Sequence, residues 1–220
     1  MKTLYLECAM GASGDMLMGA LVSLLYAPEE FIEEMNALGI PGVQVRMEPS
    51  VKCGVTGTHV SVTVNGEDEE SRDVHGHEHD EHEHHHEHEH DHGHEHPHDH
   101  AHDHTHASLA GIQAIVDGLP VSEKVRQNAM AVYRRIAAAE SEVHGHPVEQ
   151  IHFHEVGAID AIVEVCGAAI LLHQLKPDRI VCSKINVGTG YVQCAHGLFP
   201  VPAPAVAEIL RREPYFMGPG

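Results

Sequence analysis

The chain has 220 residues and a formal net charge of −20, and residues 67–106 supply −14 of it through fifteen acids against one base. No basic patch stands out and no apolar run approaches the roughly 20 residues that span a bilayer, which argues against nucleic-acid and membrane partners. Five scattered cysteines, never spaced as CxxC, favour reduced thiols in a cytoplasmic protein over a disulfide or zinc framework.

Hydrophobic periodicity and turn residues predict helices and strands on both sides of a histidine-rich tract. Before the tract we expect a buried strand at 2–8, a small-residue turn at 9–14, helices at 15–25 and 28–39, and half-buried strands at 43–49 and 58–66. After it we expect helices at 108–119 and 122–145, a short strand at 149–155, a buried helix at 156–175, strands at 179–188 and 191–197, and a proline-led helix at 199–212.

This order predicts a mixed α/β (α+β) fold, with several helices around a small mixed sheet. We interpret residues 1–220 as one core domain and residues 67–106 as a disordered, metal-binding surface insertion within it.

The histidine-rich tract, residues 75–106, contains 17 of the 24 histidines. Neutral imidazoles suit nickel, zinc, copper and cobalt, but a flexible His-x-His run lacks the geometry to select one metal. A solvated polyampholyte or a purification tag are the alternatives, and the internal position and the interspersed acids argue against a tag. The expected metal ligands in the tract are His77, His79, His82, His84, His85, His86, His88, His90, His92, His94, His96, His98, His100, His102, His104 and His106.

The segment LECAMGASGDM (6–16) has the form strand, glycine-bearing turn, helix. Backbone amides at a helix start can hold an anion. Asp15 would repel a phosphate unless a divalent cation lay between them, and Glu7 could join that cation site. A tight turn with Asp15 as a helix-dipole partner is the alternative. The expected cofactor-binding residues are Gly11, Ser13 and Gly14.

A second candidate site is HFHEVGAIDAI (152–162). In an extended segment His152 and His154 point to one face, Glu155 lies at the helix entrance, and Asp160 follows about one and a half turns along the helix. Two imidazoles and two carboxylates could converge on one divalent ion. Alternatively, Glu155 caps the helix and one histidine is a buried structural group. Further along, His196 precedes a glycine turn and three spaced prolines, where a structural turn is an equally good interpretation.

In order along the chain, LYLECAMGASGDMLMGAL, the histidine-rich tract, IHFHEVGAIDAIVEV and INVGTGYVQCAHGLFPVPAPAVAEIL resemble the LarC family of nickel insertion proteins. The resemblance covers essentially all 220 residues. It implies insertion of nickel(II) into pyridinium-3,5-bisthiocarboxylic acid mononucleotide, with CTP as co-substrate and Mn(II) or Mg(II) as a further ion. It also implies that the tract binds and supplies nickel during maturation of a lactate racemase.

The resemblance also places candidate residues in family motifs. We infer catalytic roles for Asp15, His154, Glu155 and Asp160, and nickel ligation by His152, His154, Glu155 and His196.

Two departures from the family pattern bear on function. Glu7 stands where the family pattern leads us to expect aspartate, and a C-terminal, CTP-binding domain is expected to be absent. We therefore expect this chain to act with that C-terminal part, and with the racemase and copies of itself as further partners. A non-catalytic nickel store or metallochaperone is the alternative.

Overall fold

The computed structural model describes residues 1–52, 54–68, 107–153, 156–194, 197–211 and 213–218, and these form a mixed α/β fold, as the sequence predicts. The helices are α1 Gly14–Val22, α2 Pro28–Asn36, α3 Leu109–Gly118, α4 Glu123–His144, α5 Ile159–Leu175 and α6 Pro204–Leu210. The strands are β1 Thr3–Leu6, β2 Val43–Lys52, β3 Val55–Val64, β4 Glu67–Asp68, β5 Ala107–Ser108, β6 His152–Phe153, β7 Arg179–Cys182, β8 Ile185–Asn186, β9 Tyr191–Cys194, β10 Gly197–Pro200 and β11 Tyr215–Phe216.

Serines begin the two helices that follow the tract. The Ser108 side chain accepts a hydrogen bond from the Gly111 amide at 3.1 Å at the start of α3. Ser122 accepts from the Val125 amide at 3.4 Å at the start of α4. Such caps satisfy amides that have no partner inside the helix, so both helices begin close to the predicted positions. In the described part of the chain, no helix is long and apolar enough to cross a bilayer.

In the described residues the strands form five small sheets rather than the one small mixed sheet that we expected. The longest pairing is an antiparallel hairpin of β2 and β3, which runs in register from Val43 opposite Val64 to Lys52 opposite Val55. Strands β1 and β7 are parallel neighbours, and so are β8 and β11. Because parallel strands end at the same edge, β1 and β7 bring residues from the two ends of the sequence together.

Several predicted elements differ from the structure. The predicted strand at 179–188 is two strands, β7 and β8, and the predicted helix at 199–212 begins only at Pro204, after strand β10. Strand β1 is half-exposed rather than buried on both faces, since Thr3 and Tyr5 face solvent. Helix α5 begins at Ile159 rather than at residue 156, because Ala158 still has extended backbone angles at the N-cap position. Ala158 has no polar side chain that could cap the helix, so the sequence offered no signal for this start.

The core lies between the hairpin and helices α1, α2, α4 and α5. Its fully buried side chains include Met18, Leu21, Phe31, Met35, Val45, Val60, Met130, Tyr133, Ile162 and Leu171. Helix α5 packs against both α1 and α4, so its predicted burial is confirmed along most of its length. The Tyr133 ring meets the Phe153 ring edge-on, with 6.0 Å between centroids.

The Tyr133 hydroxyl is buried and has no hydrogen-bond partner among the described residues. A buried polar group without a partner costs about 1–3 kcal/mol. We expect Tyr133→Phe to raise the free energy of unfolding by about 1 kcal/mol, measured by urea denaturation, because the ring is kept and only the hydroxyl is lost. Tyr26→Phe, at a fully exposed ring, is the control and should change nothing. A loss of stability in Tyr133→Phe would mean that the hydroxyl has a partner.

Candidate carboxylate site

The turn between β1 and α1 is held by hydrogen bonds to its backbone. The Cys8 carbonyl accepts from the Gly11 amide at 3.1 Å, and Gly11 has a φ of +85° that favours glycine. The Asn186 side-chain amide donates to the Ala9 carbonyl at 3.1 Å. Strand β8 therefore holds the predicted anion-binding turn through the Asn186 side chain.

At the start of α1, Ser13 occupies the N-cap position with extended backbone angles. Its hydroxyl donates to Asp15 Oδ1 instead of accepting from a helix amide. Asp15 lies in the first turn, where its charge interacts favourably with the helix dipole. The backbone amides at this helix start are left without a side-chain cap, as a site for an anion would need.

Asp160 lies in the first turn of α5, not one and a half turns along the helix as we expected. The cause is the later helix start at Ile159. Asp160 Oδ1 accepts a hydrogen bond from the Ala161 amide at 2.6 Å, so the carboxylate is fixed at the helix start.

Glu164, one turn after Asp160 on α5, lies against Gly14 at the start of α1, and it was not predicted from the sequence. A β-carbon at position 14 would overlap Glu164 Oε2 and would lie 2.8 Å from the Glu164 β-carbon, so the glutamate lies directly against Gly14. Burial and then the negative charges of Asp15 and Asp160 together raise the pKa of Glu164 to about 7. The spacing of Asp160 and Glu164, four residues on one helix face, is the signal that could have revealed it.

Asp15, Asp160 and Glu164, which we call the carboxylate cluster, make the start of α1 an acidic site. A bare phosphate would be repelled here, as the sequence suggested for Asp15 alone, so a phosphate-bearing ligand would need a cation between it and these groups. Within the described ranges, no set of three or more His, Cys, Asp or Glu side chains is already arranged to hold a metal ion. With its pKa raised to about 7, Glu164 can take up or release a proton near neutral pH.

The other predicted site residues are not brought into this cluster by the described structure. His152 lies on β6 and is exposed, and it makes no hydrogen bond or ion pair with any of the three carboxylates. Its ligation of nickel stays a prediction. Outside the described residues lie His154, Glu155, His196 and all of the predicted ligands of the tract from His77 to His106.

The Glu164 pKa predicts a pH-dependent stability. The pKa of Glu164 is higher in the folded chain than the ordinary 4.5. Its contribution to the free energy of unfolding is therefore most favourable below about pH 4.5 and is lost as pH rises through about 7. As the pH is raised from 5 to 8, the free energy of unfolding of Glu164→Gln should rise by about 1–2 kcal/mol relative to that of the parent chain. This figure allows for the partial exposure of Glu164. Urea denaturation at both pH values measures this gain.

Glu142→Gln is the control for that experiment, because Glu142 is an exposed acid on α4. Both variants retain every histidine, so the effect of histidine titration on the free energy of unfolding is the same in each and cancels when they are compared. An equal gain in the two variants would contradict the assignment of the effect to the cluster.

Comparison with known proteins places the chain in a family. The family model described as "Nickel insertion protein" matches residues 4–219. The chain belongs to the nickel insertion protein family. No solved structure matches the chain.

Curated relatives of the family include proteins named pyridinium-3,5-bisthiocarboxylic acid mononucleotide nickel insertion protein. The one from Clostridium kluyveri is 40% identical over 99% of this chain and 49% of its own length. The one from Clostridium acetobutylicum is 43% identical over 99% of this chain and 51% of its own length. The chain thus spans about half the length of the curated relatives that it matches. The motifs that carry the resemblance, including Asp15 and Asp160, lie within the matched region.

Proposed function

We propose that this chain takes part in inserting nickel into pyridinium-3,5-bisthiocarboxylic acid mononucleotide, in a CTP-dependent reaction that also uses Mn(II) or Mg(II). The proposal rests chiefly on the family match across residues 4–219. The names of the relatives supply the substrate, and the resemblance of the motifs supplies the CTP requirement. Because the chain spans about half of these relatives, we propose that it works with their C-terminal part.

The carboxylate cluster supports this proposal by its chemistry. Formation of a nickel–carbon bond at a pyridinium ring replaces a C–H bond, so a base must accept the ring proton. A carboxyl group with a pKa near 7 is half-ionised at neutral pH, which suits proton transfer in either direction. Glu164 meets this condition. His154 and Glu155 are further candidate bases that we infer from the motif. Nickel is the substrate here, and its role is to gather sulfur donors around the ring carbon.

The histidine-rich tract is proposed to supply nickel rather than to perform chemistry. Its imidazoles and carboxylates offer many alternative coordination sets, which favour capture and exchange of a divalent metal. Catalysis needs groups held in fixed positions, and the fixed groups are those of the folded core.

A nickel store or metallochaperone without insertion activity is the second candidate function. The composition of the tract favours it, because 17 histidines in 32 residues can bind more nickel than a single insertion needs. The two candidates differ in what happens to the substrate, so one experiment separates them.

The experiment deletes residues 75–106 and measures insertion with excess nickel, CTP and substrate, with the C-terminal part of a full-length relative supplied as a separate chain. We expect the deletion to retain more than half of the insertion rate at saturating nickel and to lose most of the bound nickel per chain. The control replaces the tract with a Gly/Ser segment of equal length, which keeps the same connection between the flanking residues.

Loss of insertion in both variants at saturating nickel would contradict the division between supply and chemistry. Absence of insertion in the parent chain under the same conditions would favour the store. At limiting nickel the parent should outperform both variants, since only the parent concentrates the metal.

A further inference from the structure

Two thiols from opposite ends of the sequence meet beside the β1–α1 turn. Cys8 follows β1 and Cys182 ends β7, and their sulfur atoms lie 3.5 Å apart, although the residues are separated by 174 positions. The parallel register of β1 and β7, with Leu6 opposite Cys182, produces this approach. A disulfide would need about 2.05 Å, so the two are thiols in van der Waals and weak hydrogen-bond contact.

The Cys8 backbone is fixed on both sides. Its amide donates to the Ser183 hydroxyl at 2.8 Å, and its carbonyl accepts from the Asn186 amide at 3.0 Å as well as from Gly11. These bonds tie the end of β1 to the loop after β7, to strand β8 and to the following turn. The pair is therefore held in position by backbone contacts, as a preorganised ligand set requires.

The pair is accessible from one side and lies in an acidic setting. Cys8 is 7% exposed, whereas Cys182 is exposed, so an ion between the sulfurs would be reached past Cys182. Glu7 precedes Cys8, and its carboxylate accepts a hydrogen bond from the Tyr5 hydroxyl at 3.0 Å. Its negative charge favours a cation nearby.

The distance between the sulfurs fits a single metal ion. With metal–sulfur bonds of about 2.3 Å, as in zinc thiolates, sulfurs 3.5 Å apart subtend about 100° at the ion. That angle lies between the square-planar and tetrahedral values. Thiolates are soft ligands that favour nickel, zinc or copper over magnesium and manganese. The two thiolates can therefore bind the nickel that is to be inserted in preference to the Mg(II) or Mn(II) that accompanies a nucleotide.

We propose that Cys8 and Cys182 form a two-thiolate docking site that holds nickel(II) on its way from the tract to the substrate, an inference that rests on the proposed function for the identity of the metal. Binding forms two Ni–S bonds and releases two thiol protons. Transfer breaks those bonds as thiocarboxylate sulfurs of the substrate replace them, and each cysteine takes back a proton. With two protein ligands the ion keeps open positions for the incoming sulfurs.

Titration of the reduced full-length chain with nickel(II) alone tests the proposal, with near-ultraviolet absorption as the readout. Thiolate-to-nickel charge transfer absorbs strongly there, whereas imidazole and carboxylate ligation in the tract does not. We expect a band whose final intensity, reached once the histidine-rich tract is also filled, corresponds to one thiolate-bound nickel per chain. Cys182→Ser and Cys8→Ala should each lower it at least tenfold, and Cys166→Ala, at a buried thiol on α5, should leave it unchanged.

Retention of the band in Cys182→Ser would overturn the proposal, and this variant changes an exposed side chain and so should fold. A band lost only on replacement of another cysteine would overturn it too. Intact-mass analysis showing the pair oxidised to a disulfide in the reduced buffer would do the same. No substrate or CTP is present, so these outcomes are independent of whether the chain takes part in insertion.

Discussion

Asp160→Asn is expected to lower the rate of nickel insertion by at least about 100-fold, the lower end of what a positioned acid or base contributes. The substitution removes one of the three charges of the carboxylate cluster while keeping the oxygen that accepts from the Ala161 amide. The helix start should therefore survive. The pH at which Glu164 ionises should fall, because one of the charges that raise its pKa is gone.

Insertion is measured with the C-terminal part of a relative present, and nickel bound per chain is measured separately. Asp117→Asn, at an exposed acid on α3, is the matched control and should insert at the parent rate. Nickel binding should hardly change in Asp160→Asn, since the tract is intact. A shift of the pH–rate profile toward acid would assign the effect to the cluster, whereas a normal rate would remove Asp160 from the catalytic residues. His154→Ala and Glu155→Gln are expected to behave similarly.

Local sequence signals predicted most of the fold. Alternating residues in VQVRMEP and THVSVTVNG predicted the two strands that pair as the β2–β3 hairpin. The helices predicted at 108–119 and 122–145 begin with Ser108 and Ser122, which cap α3 and α4. These features depend on neighbours within a few residues, which periodicity and capping describe well. The start of α5 was misplaced because Val156, Gly157 and Ala158 carry no capping side chain.

The site could be predicted only in part, because its members meet through tertiary contacts. Asp15 stood out as a carboxylate in the first turn of a helix and Asp160 as one further along the next predicted helix. Glu164 lies within an apolar helix and becomes important only through its contact with Gly14. The Cys8–Cys182 pair depends on the parallel register of two strands from opposite ends of the chain. The spacing of cysteines along the sequence does not reveal which distant strands pair. The scattered cysteines were therefore interpreted only as reduced thiols.

Gly19→Ala is expected to destabilise the fold by about 3 kcal/mol, although alanine normally favours a helix. Gly19 is buried where α1 crosses β3, and a β-carbon there would overlap the Thr58 carbonyl oxygen and lie 3.4 Å from its carbonyl carbon. The obstacle is backbone within the hairpin, which cannot rotate away as a side chain could. Ser23 also donates to Thr58 Oγ1 at 2.8 Å, so the close approach extends to the end of α1.

Thermal denaturation should show a fall in Tm of about 6–12 °C for Gly19→Ala. Gly111→Ala is the matched control, because its β-carbon would meet the Ser108 hydroxyl at an ordinary 3.5 Å, and it should raise stability by up to about 1 kcal/mol. Equal effects in the two variants would contradict the close packing of α1 on β3. Since α1 carries Asp15 toward α5, insertion by Gly19→Ala should also fall at temperatures where the chain is still folded, which would tie this packing to the carboxylate cluster.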